Sequence, residues 1–439
     1  RDWFIKSVRV MKIGIINSKG KQFVQIVDSL YSPITDDISV NYANLFLESE
    51  KHSLAVNSKL SIVQCLIHSL TYFKNTNIDI YERVSSGEFF IYKELDEFAN
   101  HASLKKEYAD LLESESIVSI TQKSIISPHA AKSTFREQSV KYNTIRKRLR
   151  SFREFIEYLS TVIHGVAPSN EVEGRKIDTT SFLSREIKKY KGNKDVEPVD
   201  IDEQMFSEEI LDKLNEVIQI GHKYNPFKPS VQARNKAIID VLFGTGLRKG
   251  ALLALKIGDV RGDGIERLLI AQRENYDDTR KYRPSQKTAG KAVYIERKDF
   301  DILDDFIVNH RYQFVEKGIA RSKGDGSFGN VFKNHDFVFV SSKGSTVGQP
   351  LSISSFNRIF MQLSSALGVD ITPHKVRYHW NYEFTKTCKE AGLDQVETAQ
   401  LRKRQMTWSR DSKMEDVYNE RALLEKVREH KQKMQRRIG

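Results

Sequence analysis

Cysteine is nearly absent from this chain of 439 residues. The two present, Cys65 and Cys388, lie far apart in apolar helical contexts. They offer no disulfide framework and no zinc-ligand spacing, and a reducing cytoplasmic setting is expected. No apolar run approaches the roughly 18 residues that a membrane-spanning helix needs, which excludes a span of that kind. Residues 1–10 are too short and too broken by charge for a secretory signal. No Met precedes Met11, which leaves open whether residues 1–10 are native. Internal repeats and low-complexity tracts are also missing. Acidic residues are the minority charge, 58 Asp and Glu against 70 Lys and Arg, for a net charge of +12. That surplus suggests a polyanionic partner, although charge alone does not separate DNA binding from an ordinary basic surface.

What is present divides along the chain. Residues 8–31 alternate apolar and polar around Asn17 to Lys21, the pattern of a β-hairpin with a Gly turn. From Ile38 the spacing turns helical, with Leu60, Val63, Ile67 and Leu70 on one stripe and Ser53 or Asn57 as the N-cap. One or two further helices are expected over 79–98. Ile145, Leu149, Phe152, Phe155, Ile156, Leu159 and Ile163 predict a long helix over 143–163. Its other side carries Arg146, Lys147, Arg148, Arg150 and Arg153. Such a face is usually only solvated, and the rival reading is phosphate neutralisation. Residues 166–204 are rich in Gly, Pro and mixed charge and read as a linker, with a short helix at 181–189. From Ser207 the pattern is again mainly helical, with short strands over 257–270 and 287–295. Residues 274–283 are polar enough to lie against DNA. Residues 299–315 read as a helix and 317–336 as a mobile segment. Helices follow over 352–367, 372–388 and 395–404, and a last one over 419–436.

Three motifs in the second half carry chemistry: Gly244-Thr-Gly-Leu-Arg248-Lys-Gly250, Pro373-His374-Lys-Val-Arg377-Tyr378, and Tyr418 at the end of Met406-Thr-Trp408 through Val417. Alone, each has an ordinary explanation: a turn with a surface Arg, a solvated helix face, a core Tyr. Their residue types suit phosphodiester cleavage without a metal. A Tyr gives a covalent ester that stores the bond energy. Two guanidiniums hold non-bridging oxygens through planar forks of donors and stay charged. A further donor assists the leaving oxygen. In this order and approximate spacing the chain resembles the tyrosine recombinase, or phage integrase, family over about residues 205–425, and more loosely over the helices of the N-terminal half.

The resemblance implies a role for each matching residue. Arg248 corresponds to the first Arg, just inside a helix whose N-terminal amides add to anion binding. His374 and Arg377 correspond to the His-x-x-Arg pair, and their spacing puts both on one helix face. Tyr418 corresponds to the nucleophile. Trp408 stands where the family carries His or Trp. Lys287 corresponds to the hairpin Lys that protonates the 5′-oxygen, with Lys291 as the alternative. Ala251 replaces a frequent acid, Tyr378 takes the place of a usual His that comes one residue later as His379, and Trp408 is ten residues from Tyr418. These departures mark a divergent member.

The implied fold is mainly α with small β elements, a C-shaped clamp around DNA. Its parts are an N-terminal β element (1–35), a helical core-binding-like DNA domain (36–165), the linker (166–204), an α+β catalytic domain (205–425) and a basic tail (426–439). The implied function is site-specific DNA strand exchange through a 3′-phosphotyrosine intermediate, for a mobile genetic element, in the cytoplasm and at the nucleoid when bound to DNA. No cofactor and no metal are implied, because the phosphotyrosine conserves bond energy. The partner is double-stranded DNA bearing recombination sites, its phosphates met by Arg146, Lys147, Arg148, Arg150 and Arg153, and bound by monomers that form a homotetramer on two sites. A type IB topoisomerase or telomere resolvase, or an inactive DNA-binding regulator of the same fold, remains the alternative. Fold alone does not choose among them.

Overall fold

The structure, a computed structural model, describes residues 10–105, 107, 138–191, 205–273, 275–284, 286, 290–324, 332–406, 427, 430–431 and 434–435. It divides into two compact units, residues 1–197 and 198–439.

In the first unit, β1 (Lys12–Ser18) and β2 (Lys21–Val27) form the expected hairpin, with Ile15 opposite Val24 and Ser18 opposite Lys21. Lys19 and Gly20 both have positive φ, the backbone of a two-residue turn that follows the strand twist. Val24 and Ile26 point into a helical core. That core is built by α1 (Ile38–Ser49), α2 (Val56–Asn75), α3 (Ile80–Ser85), α4 (Tyr92–Ser103), α5 (Tyr142–His164) and α6 (Asn170–Lys189). Helix α2 starts from Ala55 with no side-chain cap, so neither Ser53 nor Asn57 serves.

Helix α5 is the spine of this unit. Ile145, Leu149, Phe152, Phe155, Ile156 and Leu159 are all fully buried, and Ile163 is partly buried against the same core. Phe152 lies 4.9 Å from Phe73 and 4.7 Å from Phe98, ring centre to ring centre, distances at which aromatic rings attract.

The described part of the segment expected as a linker is mainly helix. Helix α6 runs for 20 residues from a Ser169 cap, not for the short stretch 181–189. Thr179, Phe182, Leu183, Glu186 and Ile187 recur at helical spacing and face the core. Glu171 and Glu173 in the first turn and Lys188 and Lys189 in the last suit the helix dipole. The charges that looked like a linker are the outer face of this helix.

The second unit opens with α7 (Glu208–Val217), capped by Ser207, and α8 (Pro229–Thr245), with Pro at its first position. Then come α9 (Lys249–Leu253) and a three-stranded antiparallel sheet in the order β3 (Val260–Arg261), β4 (Arg267–Ile270), β5 (Lys291–Tyr294). Leu268 pairs with Val293 and Ile270 with Lys291. Helix α10 (Arg297–Asp305) continues through a π turn at Phe306–His310 into α11 (Arg311–Gly324), so part of the segment expected to be mobile is helical. Phe306 inside that turn is fully buried, and its packing holds the irregular backbone. Helices α12 (Ile353–Leu367), α13 (Pro373–Glu390) and α14 (Gln395–Gln405) complete the unit. Its core gathers Ile238, Leu242, Leu252, Leu268, Val293, Phe306, Phe356 and Val376, among others.

The polar stretch expected to lie against DNA is partly buried. Asp278 and Arg280 pair at 2.8 Å, and Arg280 also donates to the carbonyls of Leu253 (2.9 Å) and Leu351 (3.0 Å). Two charges that neutralise each other and satisfy carbonyls can enter a core that composition alone would deny them. Tyr276 and Tyr282 on the same stretch remain exposed. Among the described residues no helix is long and apolar enough to cross a membrane, and no group of His, Cys, Asp and Glu is arranged to hold a metal ion.

Candidate active site

Helix α8 ends at Gly246 in the left-handed conformation (φ +61°), and the chain turns through Leu247 to Arg248. Arg248 is extended and caps α9 from outside, one residue before the helix, where the sequence suggested a place just inside it. Its side chain is half-buried.

The turn is enclosed by close packing as well as by its dihedrals. A Cβ on Gly246 would lie 2.8 Å from Trp380 Cδ2 and 2.9 Å from Met406 Cε. A Cβ on Gly244 would collide with the carboxylate of Asp299 on α10. Gly246 is therefore required for both space and conformation, whereas a Cβ on Gly244 would need the Asp299 carboxylate to swing aside.

Helix α13 supplies the other groups. Thr372 caps it, accepting from Lys375 N at 3.2 Å, and Pro373 takes the first position. His374 lies in the first turn and Arg377 one turn on, where it is 5% exposed. The Arg377 guanidinium donates through Nη1 to the Gly246 carbonyl at 2.6 Å, tying the helix to the turn that leads to Arg248. His374 packs edge-on to Tyr378 with ring centres 4.9 Å apart.

His374 lies within range of the charges of both Arg377 and Arg248. The His374 imidazole is held below the ordinary histidine range, first by desolvation and then by the charges of Arg377 and Arg248. The residue as a whole is open to solvent, yet its ring is partly desolvated beside two guanidiniums. At neutral pH it is a neutral imidazole that can donate one N–H. Two cations and one neutral donor are the kind of groups that hold a phosphate.

Further side chains brace this arrangement, and the motifs did not point to them. Trp380 Nε1 donates to the Gly244 carbonyl at 3.0 Å. Asn381, fully buried, donates through Nδ2 to the Arg377 carbonyl at 2.7 Å. Arg402 on α14, also fully buried, reaches Thr385 Oγ1 at 2.7 Å. The only sequence signal for Trp380 and Asn381 was their place three and four residues after Arg377, on the same helix face.

Asp299 gives a stability prediction. Burial, then the nearby Asp240, raises its carboxyl from 3.8 to about 6. Its contribution to stability is full below pH 4 and is lost as the pH rises through 6, because the folded state then holds a buried carboxylate. Asp299→Asn should stabilise the protein by about 2–3 kcal/mol at pH 7.5. The gain should shrink at pH 5. Denaturant melts at the two pH values check this, and an equal gain at both would place the effect elsewhere.

Of the other expected residues, Lys291 begins β5, whereas Lys287, Trp408 and Tyr418 lie outside the described residues, as does most of the helix expected over 419–436. Gln405 Nε2, near the start of the segment leading to Trp408 and Tyr418, reaches the Tyr294 carbonyl at the end of β5 at 3.5 Å.

The basic face of α5 is mixed. Arg148 donates to the carbonyls of Ala102 (2.9 Å) and Leu104 (2.8 Å), and Arg153 to Ser184 Oγ (3.0 Å). Lys147 and Arg150 are exposed, and Arg146 is half-exposed.

The model of the phage integrase family matches residues 208–396. Tyrosine recombinase XerD of Halalkalibacterium halodurans is 24% identical over 164 residues, which are 37% of this chain and 42% of that protein. The chain thus spans less than half the length of this relative. Two structures of the XerH site-specific recombinase align at 15% identity. The pre-cleavage complex with difH has a TM-score of 0.39 and covers 87% of this chain and 93% of its own. The post-cleavage complex with palindromic difH has a TM-score of 0.43 and covers 89% and 95%. The stretch that matches the phage integrase family model, residues 208–396, contains Arg248, His374 and Arg377.

Proposed function

We propose that the chain is a site-specific DNA recombinase that cuts and rejoins strands through a 3′-phosphotyrosine link. The observation that carries this reading is the bond from Arg377 to the Gly246 carbonyl of the turn that leads to Arg248, with both guanidiniums near enough to His374 to lower the pKa of its imidazole. In the reaction, the Tyr418 oxygen gives up its proton to water and forms a bond to the scissile phosphorus as the bond to the 5′-oxygen breaks, and Lys287 or Lys291 gives that oxygen a proton. Arg248 and Arg377 hold the non-bridging oxygens while charge builds on them, His374 donates a hydrogen bond, and Trp408 donates another from its indole N–H. Rejoining reverses each bond change, with a 5′-hydroxyl from the partner duplex as the nucleophile. Monomers assembling as four subunits on two sites, for the integration of a mobile element in the cytoplasm, complete the proposal.

The test is covalent capture. Nicked duplexes covering the DNA that flanks the gene are incubated with the protein and run on a denaturing gel. A protein–DNA adduct on one discrete sequence is expected. A protein that binds that sequence and yields no adduct is a regulator.

On the first unit, the open cations of α5 suit phosphate binding that sets position more than sequence. Replacing Lys147 and Arg150 by Ala should make the slope of log affinity against log salt shallower by roughly 0.9 for each phosphate no longer neutralised. Arg148→Ala should instead lower stability, since it leaves the Ala102 and Leu104 carbonyls without their donor. An unchanged slope in the double variant would return this face to a solvated surface.

A further inference from the structure

Trp380 contributes to none of the motifs, yet it touches each part of the site that must be held in register. Its indole N–H bonds the Gly244 carbonyl at 3.0 Å. Its ring occupies the space that a Cβ on Gly246 would fill, 2.8 Å from that point. The same ring packs on Met406, which is buried at the start of the segment leading to Tyr418. Phe384, one turn further along α13, stacks on it with ring centres 5.0 Å apart and parallel within 20°.

Two hydrogen bonds thus join α13 to the Gly244–Gly246 turn. Arg377 makes one, to Gly246, and Trp380 makes the other, to Gly244, on the same helix face. One bond would let the turn pivot about the Gly246 carbonyl. Two bonds, on carbonyls two residues apart, remove that freedom. Because Arg248 follows the turn directly, the second bond sets where its guanidinium stands relative to Arg377. Phosphate held by two planar forks is sensitive to such placement, and a shift of about 1 Å can cost a hundredfold in rate.

From this geometry we infer that Trp380 is a positioning residue, holding Arg248 in register with Arg377 through its indole N–H and its packing against Gly246. The inference rests on the strand-transfer reading of the site.

Trp380→Phe tests it, because it keeps a ring against Gly246 and Met406 and removes only the N–H and some area. Cleavage of a nicked duplex by the full chain should slow about tenfold, with DNA affinity within twofold of the unaltered protein and a melting temperature close to it. The discriminating probe is the same duplex with a methylphosphonate at the scissile position. This group is neutral and needs less cationic support, so the deficit of Trp380→Phe should shrink towards parity on it. A loss of folded protein would depress both substrates alike. A variant that cleaves the natural phosphate at the unaltered rate, or is equally impaired on both substrates, overturns the positioning role. Absence of any adduct with the unaltered protein overturns the strand-transfer reading itself, a result separable from the other two.

Discussion

Tyr418→Phe should bind DNA as the unaltered chain does and form no covalent adduct. The substitution removes a single oxygen, the atom proposed to bond the scissile phosphorus, and keeps the aromatic ring. A phenyl ring has no atom that can attack phosphorus, so the expected loss is complete within detection. Gel shift measures binding, and denaturing electrophoresis with a nicked duplex measures capture. An adduct with the Phe variant would mean that another residue attacks. Tyr378 and Tyr382, on the helix that carries His374 and Arg377, would then be the next candidates, and the reading of the C-terminal motif would fall.

Arg377→Ala is expected to lose about 10²–10³-fold in cleavage, the effect of removing one preorganised donor, or roughly 3–4 kcal/mol. A second consequence separates it from a variant that loses only charge. Arg377 is 5% exposed and donates to the Gly246 carbonyl at 2.6 Å, so truncation leaves that carbonyl without this donor and loosens the turn before Arg248. Some loss of stability, about 1–3 kcal/mol, should accompany the loss of rate. Arg377→Lys should keep charge but not rate, because an ammonium cannot bond the carbonyl and a phosphate with the same planar fork. Single-turnover cleavage beside a denaturant melt resolves the two effects. A Lys variant of full activity would show that charge alone suffices there.

Several structural elements were legible because their signals are local. The hairpin showed in its alternation and its Lys19-Gly20 turn, and α5 in seven apolar residues at helical spacing. Helix α13 matches the helix expected over 372–388 to within two residues. The misreadings have local causes too. Gly174 and a run of charges hid α6, whose apolar face is narrow. Asp278 and Arg280 read as solvent-facing because composition cannot reveal that two opposite charges are buried as a pair. Arg148 read as a phosphate ligand, and its carbonyl partners Ala102 and Leu104 lie over forty residues away in the chain.

The sequence by itself determined the chemical inventory: two guanidiniums, an imidazole and a tyrosine of the right types, in an order and spacing that pointed to one family. It also determined most helices, because helical periodicity is written over a few successive residues. The tertiary structure decided how that inventory converges. Gly246 and Arg377 are 131 positions apart, and only the packing of α8 against α13 makes them hydrogen-bonding neighbours. The same packing decided that Trp380 lies against Gly246, and that Gly244 abuts the buried Asp299. Such neighbours depend on how whole elements stack, and no pattern along one stretch of chain encodes which side chain will meet which carbonyl across the core.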